Sequence, residues 1–299
     1  MSHIFFRSLS LPLLLLAAAA FAQTPIDETR PLDARGRIDI GNVKGRIEVR
    51  AWDRDEVKIS GTLGEGVEKL VIEGNRQHLV VEVRYPKGGW GNRDKSGPTE
   101  MLLNVPRRAD LKIESVSANV HVTGVASSVL SINAVSGDVM VAAAPAKASI
   151  DAVSGDLALT LNSGDVDVQS VSGDMVLRGR LNGDIDAETV SGNIEIDVVG
   201  ERIRELKANT VSGDVNVRTA LAPKGEIKLE SVSGDLLLRL PKDVSAQARG
   251  ESFSGDLKAT GVTVEKRQGP GSSFSTRYGD GSGDIGLQAF SGSAEIRLE

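Results

Sequence analysis

The chain has 299 residues, enough for one elongated domain or two small ones, and it is mildly acidic, with 35 Lys and Arg against 41 Asp and Glu. That balance excludes the basic footprint of a nucleic-acid binder. Aromatics at 3% are few for a compact globular core, 33 glycines suit a fold of many tight turns, and the absence of cysteine excludes disulfides and a lipidated N-terminal Cys.

Residues 1–22 read as a secretory signal peptide. Arg7 supplies the positive start, Leu9 to Ala20 is an apolar run, and Ala20-Phe21-Ala22 has the small-x-small pattern of a cleavage site. The run is short for a bilayer span and contains Pro12. Cleavage leaves Gln23 first and a formal charge of 34 − 41 = −7. Nothing after Gln23 is apolar enough to cross a membrane as a helix, so the mature chain is expected to be exported without membrane insertion, to the periplasm, the cell surface or beyond.

Residues 23–105 are expected to form an irregular β cap. Arg37-Ile38-Asp39-Ile40 and Arg46-Ile47-Glu48-Val49 suggest a hairpin around Gly41 to Gly45, and Val57-Lys58-Ile59 and Leu79 to Val83 suggest further strands. Val67 to Ile72 fits either a helical turn or a strand. A cap is needed because an open end of a stacked β rod exposes unpaired strand edges.

Residues 106–299 are governed by a repeat. Val-Ser-Gly-Asp occurs at Val135–Asp138, Val153–Asp156, Val171–Asp174, Val211–Asp214 and Val232–Asp235. Near copies start at Val116, Val190, Phe253 and Phe290. From Ser117 to Ser254 the serines step by 19, 18, 18, 19, 21, 21 and 21 residues, and half-period copies appear at Asn162–Asp165 and Leu181–Asp184. Apolar residues alternate with polar ones on both sides of each motif, the pattern of strands with one buried face. The residue before each Val or Phe is always small, from Ser115 to Ala289, which points to a corner between that residue and the Val. One coil cannot bury its own apolar face, but stacked coils can. The predicted fold is therefore all-β: a single-stranded parallel β-solenoid (β-helix) of about nine coils, roughly 40 Å long at the usual strand spacing, with a right hand as the default.

Two Gly/Pro-rich stretches interrupt the pattern, Tyr85 to Glu100 and a flexible loop at 265–283. They present Tyr85, Trp90, Phe274 and Tyr278 as possible partner contacts, against the alternative that these rings fold back onto the rod.

The corner acids are the most tempting chemistry. Stacking would align Asp138, Asp156, Asp174, Asp214, Asp235 and Asp256 on one ridge, with Asp165 and Asp184 in part of a second. Calcium could relieve the repulsion along that ridge, and the half-period spacing is near that of the nonapeptide calcium-binding roll, but each copy lacks two of that pattern's glycines. Otherwise each Asp would bond the backbone of its own turn, a role that Asn119, Asn193 and Ser293 could fill in their copies. No cofactor is expected. No enzyme is expected either: His78 and His121 stand far apart in no known motif, and a catalytic carboxylate pair should be singular rather than repeated in every coil.

The unit Φ-x-Φ-x-small-Val-Ser-Gly-Asp-Φ-x-Φ resembles the bacterial putative-adhesin family with β-strand repeats, a domain of unassigned function. Gly45 to Asp53 followed by Val57-Lys58-Ile59 resembles its opening, Asn104-Val105-Pro106 leading into Leu111-Lys112-Ile113 its approach to the first coil, and Tyr278 to Ile285 with Phe290-Ser291-Gly292 its end. The resemblance covers nearly all of the chain after the signal peptide. It implies a β-helix-like rod in the cell envelope and brings no catalytic residues. The expected function is a non-catalytic envelope module, binding, adhesin-like or structural, whose partner is an envelope protein or glycan. The alternatives are a calcium-stabilised secreted scaffold and a polysaccharide-active β-helix enzyme.

Overall fold

The structure, a computed structural model, describes residues 24–86, 96–266 and 271–299. The expected signal peptide and Trp90 lie outside the described residues. Every regular element within them is a strand, and all are joined by hydrogen-bonded pairing.

The middle of the molecule follows from the repeat. Its strands are β7 (Asp110–Thr123), β8 (Val129–Ala134), β9 (Val139–Ala143), β10 (Lys147–Ser154), β11 (Leu157–Ser172), β12 (Met175–Ser191), β13 (Ile194–Ser212), β14 (Val215–Ser233) and β15 (Leu236–Leu240). They build two parallel ladders. The residues before each motif pair in the order β7, β8, β10, β11, β12, β13, β14. The residues after each motif pair in the order β7, β9, β11, β12, β13, β14, β15. In-register stacking turns each inward position into a column. Ile113, Ile132, Ile150, Val168, Ala187, Ala208, Leu229 and Leu287 form one such column, each at most 1% exposed. A core of aliphatic columns needs few aromatics, in keeping with the composition.

The ends differ from the simple stack. At the N-terminal end lie β1 (Thr24–Pro31), β2 (Arg37–Trp52), β3 (Glu56–Leu63), β4 (Lys69–Gly74), β5 (His78–Arg84) and β6 (Thr99–Pro106). The hairpin expected around Gly41 to Gly45 is absent. β2 is instead one long strand whose first half pairs with β5 and β7, and whose second half pairs with β6 and β7. It is therefore a coil in its own right, with Asn42, Lys44 and Gly45 in register with Ser115, Ser117 and Ala118. Val67 to Ile72 falls mostly in β4, a strand. Antiparallel pairing closes this end, with β4 on β5, β3 on β6 and β1 on β3.

At the C-terminal end lie β16 (Ala246–Ser252), β17 (Leu257–Ala259), β18 (Glu265–Lys266), β19 (Ser272–Tyr278), β20 (Gly283–Ser291) and β21 (Ala294–Leu298). Here spatial order departs from chain order. β20 lies between β14 and β16, and β21 between β15 and β17. The final coil is thus intercalated beneath the one that precedes it in sequence. Much of the stretch expected as a loop at 265–283 is regular, because β19 pairs along its whole length with β16, antiparallel. Gly250 explains part of this: a Cβ there would stand 2.1 Å from Phe274 Cε1, so the missing side chain leaves room for the ring.

Candidate functional site: a groove along the motif corner

Each letter of the motif has a separate structural reason. Glycine is required by stacking. Gly192, Gly213 and Gly234 have φ of 151°, 148° and 147°. A Cβ on Gly213 would lie 2.0 Å from the carbonyl oxygen of Gly192, and one on Gly234 would lie 1.9 Å from that of Gly213. The glycine backbones of successive coils stack so closely that no side chain fits between them.

The aspartate is required by the next coil. Asp138 Oδ1 accepts the N–H of Asp156 at 3.2 Å, and Asp156 Oδ1 accepts that of Asp174 at 3.0 Å. The ladder continues from Asp174 to Asn193 at 2.9 Å, Asn193 to Asp214 at 3.0 Å, Asp214 to Asp235 at 2.8 Å and Asp235 to Ser293 at 2.7 Å. The expectation that each Asp caps its own turn is corrected: the side chain caps the turn of the following coil. Asn serves as well as Asp because the job is to accept a backbone N–H. The six aspartates do not form one unbroken ridge either. Asn193 separates Asp174 from Asp214, and the last coil places Ser293 between Asp235 and Asp256. Among the described residues, no group of three or more His, Cys, Asp or Glu side chains is disposed to hold a metal ion. Of the second ridge, Asp165 and Asp184 are direct neighbours, and the Arg204 guanidinium hydrogen-bonded to Asp184 holds its carboxyl below the usual range.

The valine points outward. Alternation continues through the small residue and the Val, and breaks only at Ser-Gly-Asp. Ser231 is buried while Val232 is 50% exposed. The corner therefore lies one step later than the parity of the sequence suggests. Val116, Val135, Val153, Val171, Val190, Val211, Val232, Phe290 and Phe253 make a row of exposed apolar side chains along the rod. It ends in two stacked rings, with Phe253 and Phe290 centroids 4.9 Å apart and planes within 3°. A continuous apolar strip of this kind is unusual on a free surface.

The outward residues two places earlier form a second, parallel row. Strand register sets their order as Glu114, Asn133, Asp151, Gln169, Glu188, Asn209, Glu230, Gln288, Glu251. Acid and amide alternate at every rung. Two carboxylates on adjacent rungs, about 4.8 Å apart, would repel by roughly 0.9 kcal/mol in water, and an interposed amide doubles the distance. It can also donate: Asn209 Nδ2 reaches Glu188 Oε1 at 3.1 Å. Burial first, then the carboxylates of Glu188 and Asp167, hold Asp186 above the usual carboxylate range, and Asp167 is its direct neighbour. Cations sit just outside the row, with Lys112 at 2.5 Å from Glu114 and Lys228 at 2.7 Å from Glu230.

Between these rows runs a shallow groove. One section, of 820 Å³, extends from Asp151 to the Phe253 and Phe290 pair, and another, of 460 Å³, extends from Asp151 to Glu82 and Val43. The two sections share Asp151 and Ala152, so the groove follows the corner along most of the rod. Among the described residues, no Lys or Arg lines either section.

Of the aromatic residues singled out from the sequence, Tyr85, Phe274 and Tyr278 do not line the groove. The expectation of an exposed ring fails for Phe274, which is 5% exposed and packs over Gly250. Tyr278 is half-buried at the same end and donates its hydroxyl to Thr260 O at 3.1 Å. Tyr85, also half-buried, donates to Asn42 Oδ1 at 2.9 Å and so supports the first corner. His78 lies on β5 beside Asp39, at 3.0 Å, and His121 on β7 opposite Glu48, in the two different halves of the first coil. The acid and amide row was missed because only strand register reveals it.

Solved structures share the fold across almost the whole chain. A structure named as a putative lipid binding protein from Parabacteroides distasonis ATCC 8503 has a TM-score of 0.53 at 12% identity, covering 92% of this chain and 97% of its own. A putative adhesin from the same organism gives 0.52 at 15%, covering 92% and 98%. Another putative adhesin, from Parabacteroides merdae ATCC 43184, gives 0.52 at 11%, covering 92% and 96%. At these identities the likeness is one of fold. No curated protein matches the chain. Its sequence matches the Toastrack DUF4097 family over residues 95–226 and again over 203–297, and the chain belongs to that family.

Proposed function

We propose that this chain is an exported, non-catalytic binding module of the cell envelope and that the corner groove is its contact surface. One observation supports the reading above others. The fold keeps nine Val and Phe side chains in solvent at equivalent positions, beside an ordered row of acids and amides. A purely structural corner has no need of Val there, because glycine and the Asp ladder already define the turn. The names of the neighbouring structures, adhesins and a lipid binding protein, agree with a binding role. The carboxylates recur in every second coil, which suits a surface that grips a partner at many points better than a catalytic pair.

Co-sedimentation with purified envelope material of the source cell tests this reading. The mature protein is expected to pellet with the envelope, and the Val171→Asp/Val211→Asp variant to stay in solution with its fold intact. Equal pelleting of both proteins, or of neither, would contradict the proposal. Fractionation of cells making the full chain tests export directly, with the expected signal outside the cytoplasm.

A further inference from the structure

We infer that the groove holds an extended, uncharged β-linked polysaccharide laid along the rod axis, an inference that rests on the binding-module reading above. Three kinds of linear occupant can be weighed against the geometry. The groove repeats at every rung, about 4.8 Å apart. A polypeptide strand advances about 3.3 Å per residue and presents like-facing side chains about twice as far apart, so it falls out of step with the rungs. An acyl chain matches the Val row but would cover the opposite wall of acids and amides without offering them any hydrogen-bond partner. A sugar unit of an extended β-linked chain is about as long as one rung. Its hydroxyls recur in step with Glu114, Asn133, Asp151, Gln169, Glu188, Asn209, Glu230, Gln288 and Glu251.

The chemistry of the two walls agrees. Carboxylates accept from hydroxyls, and amides both accept and donate. The opposite wall of Val methyls suits the C–H faces of sugar rings, and the stacked Phe253 and Phe290 rings provide a flat end platform. Six carboxylates line the groove, those of Glu82, Glu114, Asp151, Glu188, Glu230 and Glu251; among the described residues no Lys or Arg is in the lining, and the cations that pair with Glu82, Glu114 and Glu230, namely Arg84, Lys112 and Lys228, stand beside it. An anionic polymer is therefore disfavoured and an uncharged one accepted. Alternation of acid and amide gives a two-rung repeat, in keeping with a chain whose successive sugars are flipped.

Titration of the mature protein with cellohexaose and with N-acetylchitohexaose, followed by calorimetry, tests the inference. At least one hexaose is expected to bind, roughly 10-fold or more tighter than its own disaccharide, since each added sugar engages another rung. An alginate hexamer is expected not to bind. Val190→Asp/Val211→Asp should lower the hexaose affinity by roughly 10-fold with little change in melting temperature. Should that variant fold poorly, Gln169→Ala/Asn209→Ala removes two amides from the other wall and should also weaken binding. Failure of both hexaoses, affinity independent of length, or affinity unchanged by both variants would overturn the inference. Binding to phosphatidylglycerol vesicles, lost in the same variants, would overturn it in favour of a lipid. If no hexaose binds but envelope co-sedimentation still depends on Val171 and Val211, the polysaccharide inference falls and the binding-module reading stands. If neither hexaose binds and the wild-type chain does not pellet, both fall.

Discussion

From Asp110 to Leu240 the coils stack in the order of the chain, whereas at both ends they do not. β2 lies inside the later β5 and β6, and the final coil of β20 and β21 lies inside the earlier β16 and β17. The middle shows what the motif specifies: a column of glycines, a ladder of side-chain acceptors and a core of aliphatic columns. The ends show what it leaves open. Any Ser-Gly-Asp corner can stack on any other, so other features decide which coils become neighbours. At the C-terminal end, β19 covers β16 and leaves only its other edge for stacking. The coil that carries the antiparallel strand becomes the outermost one, and the last coil fills the slot beneath it.

That contrast can be broken or sharpened by substitution, most severely at the stacked glycines. Gly213→Ala places a Cβ against a backbone carbonyl that cannot move without its coil, and should cost about 3 kcal/mol or more in urea unfolding. Gly200, with φ of 70° and nothing within 4 Å of its missing Cβ, is the control. Its Ala variant should lose only about 1 kcal/mol of backbone preference. Next come Ile285→Ala and Leu287→Ala, each expected to cost about 2–4 kcal/mol, because the final coil is core rather than a fraying terminus. A loss below about 0.5 kcal/mol at either would place that coil on the outside.

The Asp ladder should give a middle effect. Asp214→Ala leaves the Asp235 N–H without its acceptor and should cost about 1–2 kcal/mol, while Asp214→Asn keeps the acceptor and should be near neutral. If the aspartates serve the backbone rather than an ion, EDTA and calcium leave the melting temperature unchanged.

Smaller still is the effect of Asp186. Burial and its acidic neighbours raise its folded pKa above 3.8. The folded state therefore holds this proton more tightly than the unfolded chain, and ionisation opposes folding above the raised value. Asp186→Asn should raise the melting temperature at neutral pH, and the gain should vanish as pH falls through the raised value towards 3.8. A gain that persists in acid would assign the effect to something other than charge.

Much of the architecture was legible because it is periodic. The Val-Ser-Gly-Asp spacing and the alternation around it lead to stacked coils and to inward columns such as Ile113 through Leu287. The direction of the valines was not legible. After a bend, Val232, Leu236 and Leu238 share a parity in sequence, although the first faces water and the others face the core. The coil hidden in β2 was missed because Asn42-Val43-Lys44-Gly45 keeps only the Val and Gly of the motif, and two strands flanking a glycine look like a hairpin. The acid and amide row was invisible for a deeper reason. In chain order Glu230 is followed by Glu251 and then Gln288, so the alternation fails. Only intercalation of the last coil restores it.

That intercalation assembles the groove, and a cross-link tests it most directly. The chain contains no cysteine, so any disulfide would come from the pair introduced. Register places Gln288, not Glu251, beside Glu230, at a neighbouring-strand distance that a disulfide can span. Oxidation of the folded protein should therefore lock Glu230→Cys/Gln288→Cys into a faster-migrating form on a non-reducing gel and leave Glu230→Cys/Glu251→Cys unlinked. Efficient closure of the second pair and not of the first would mean that the coils stack in chain order and that the alternating row does not exist.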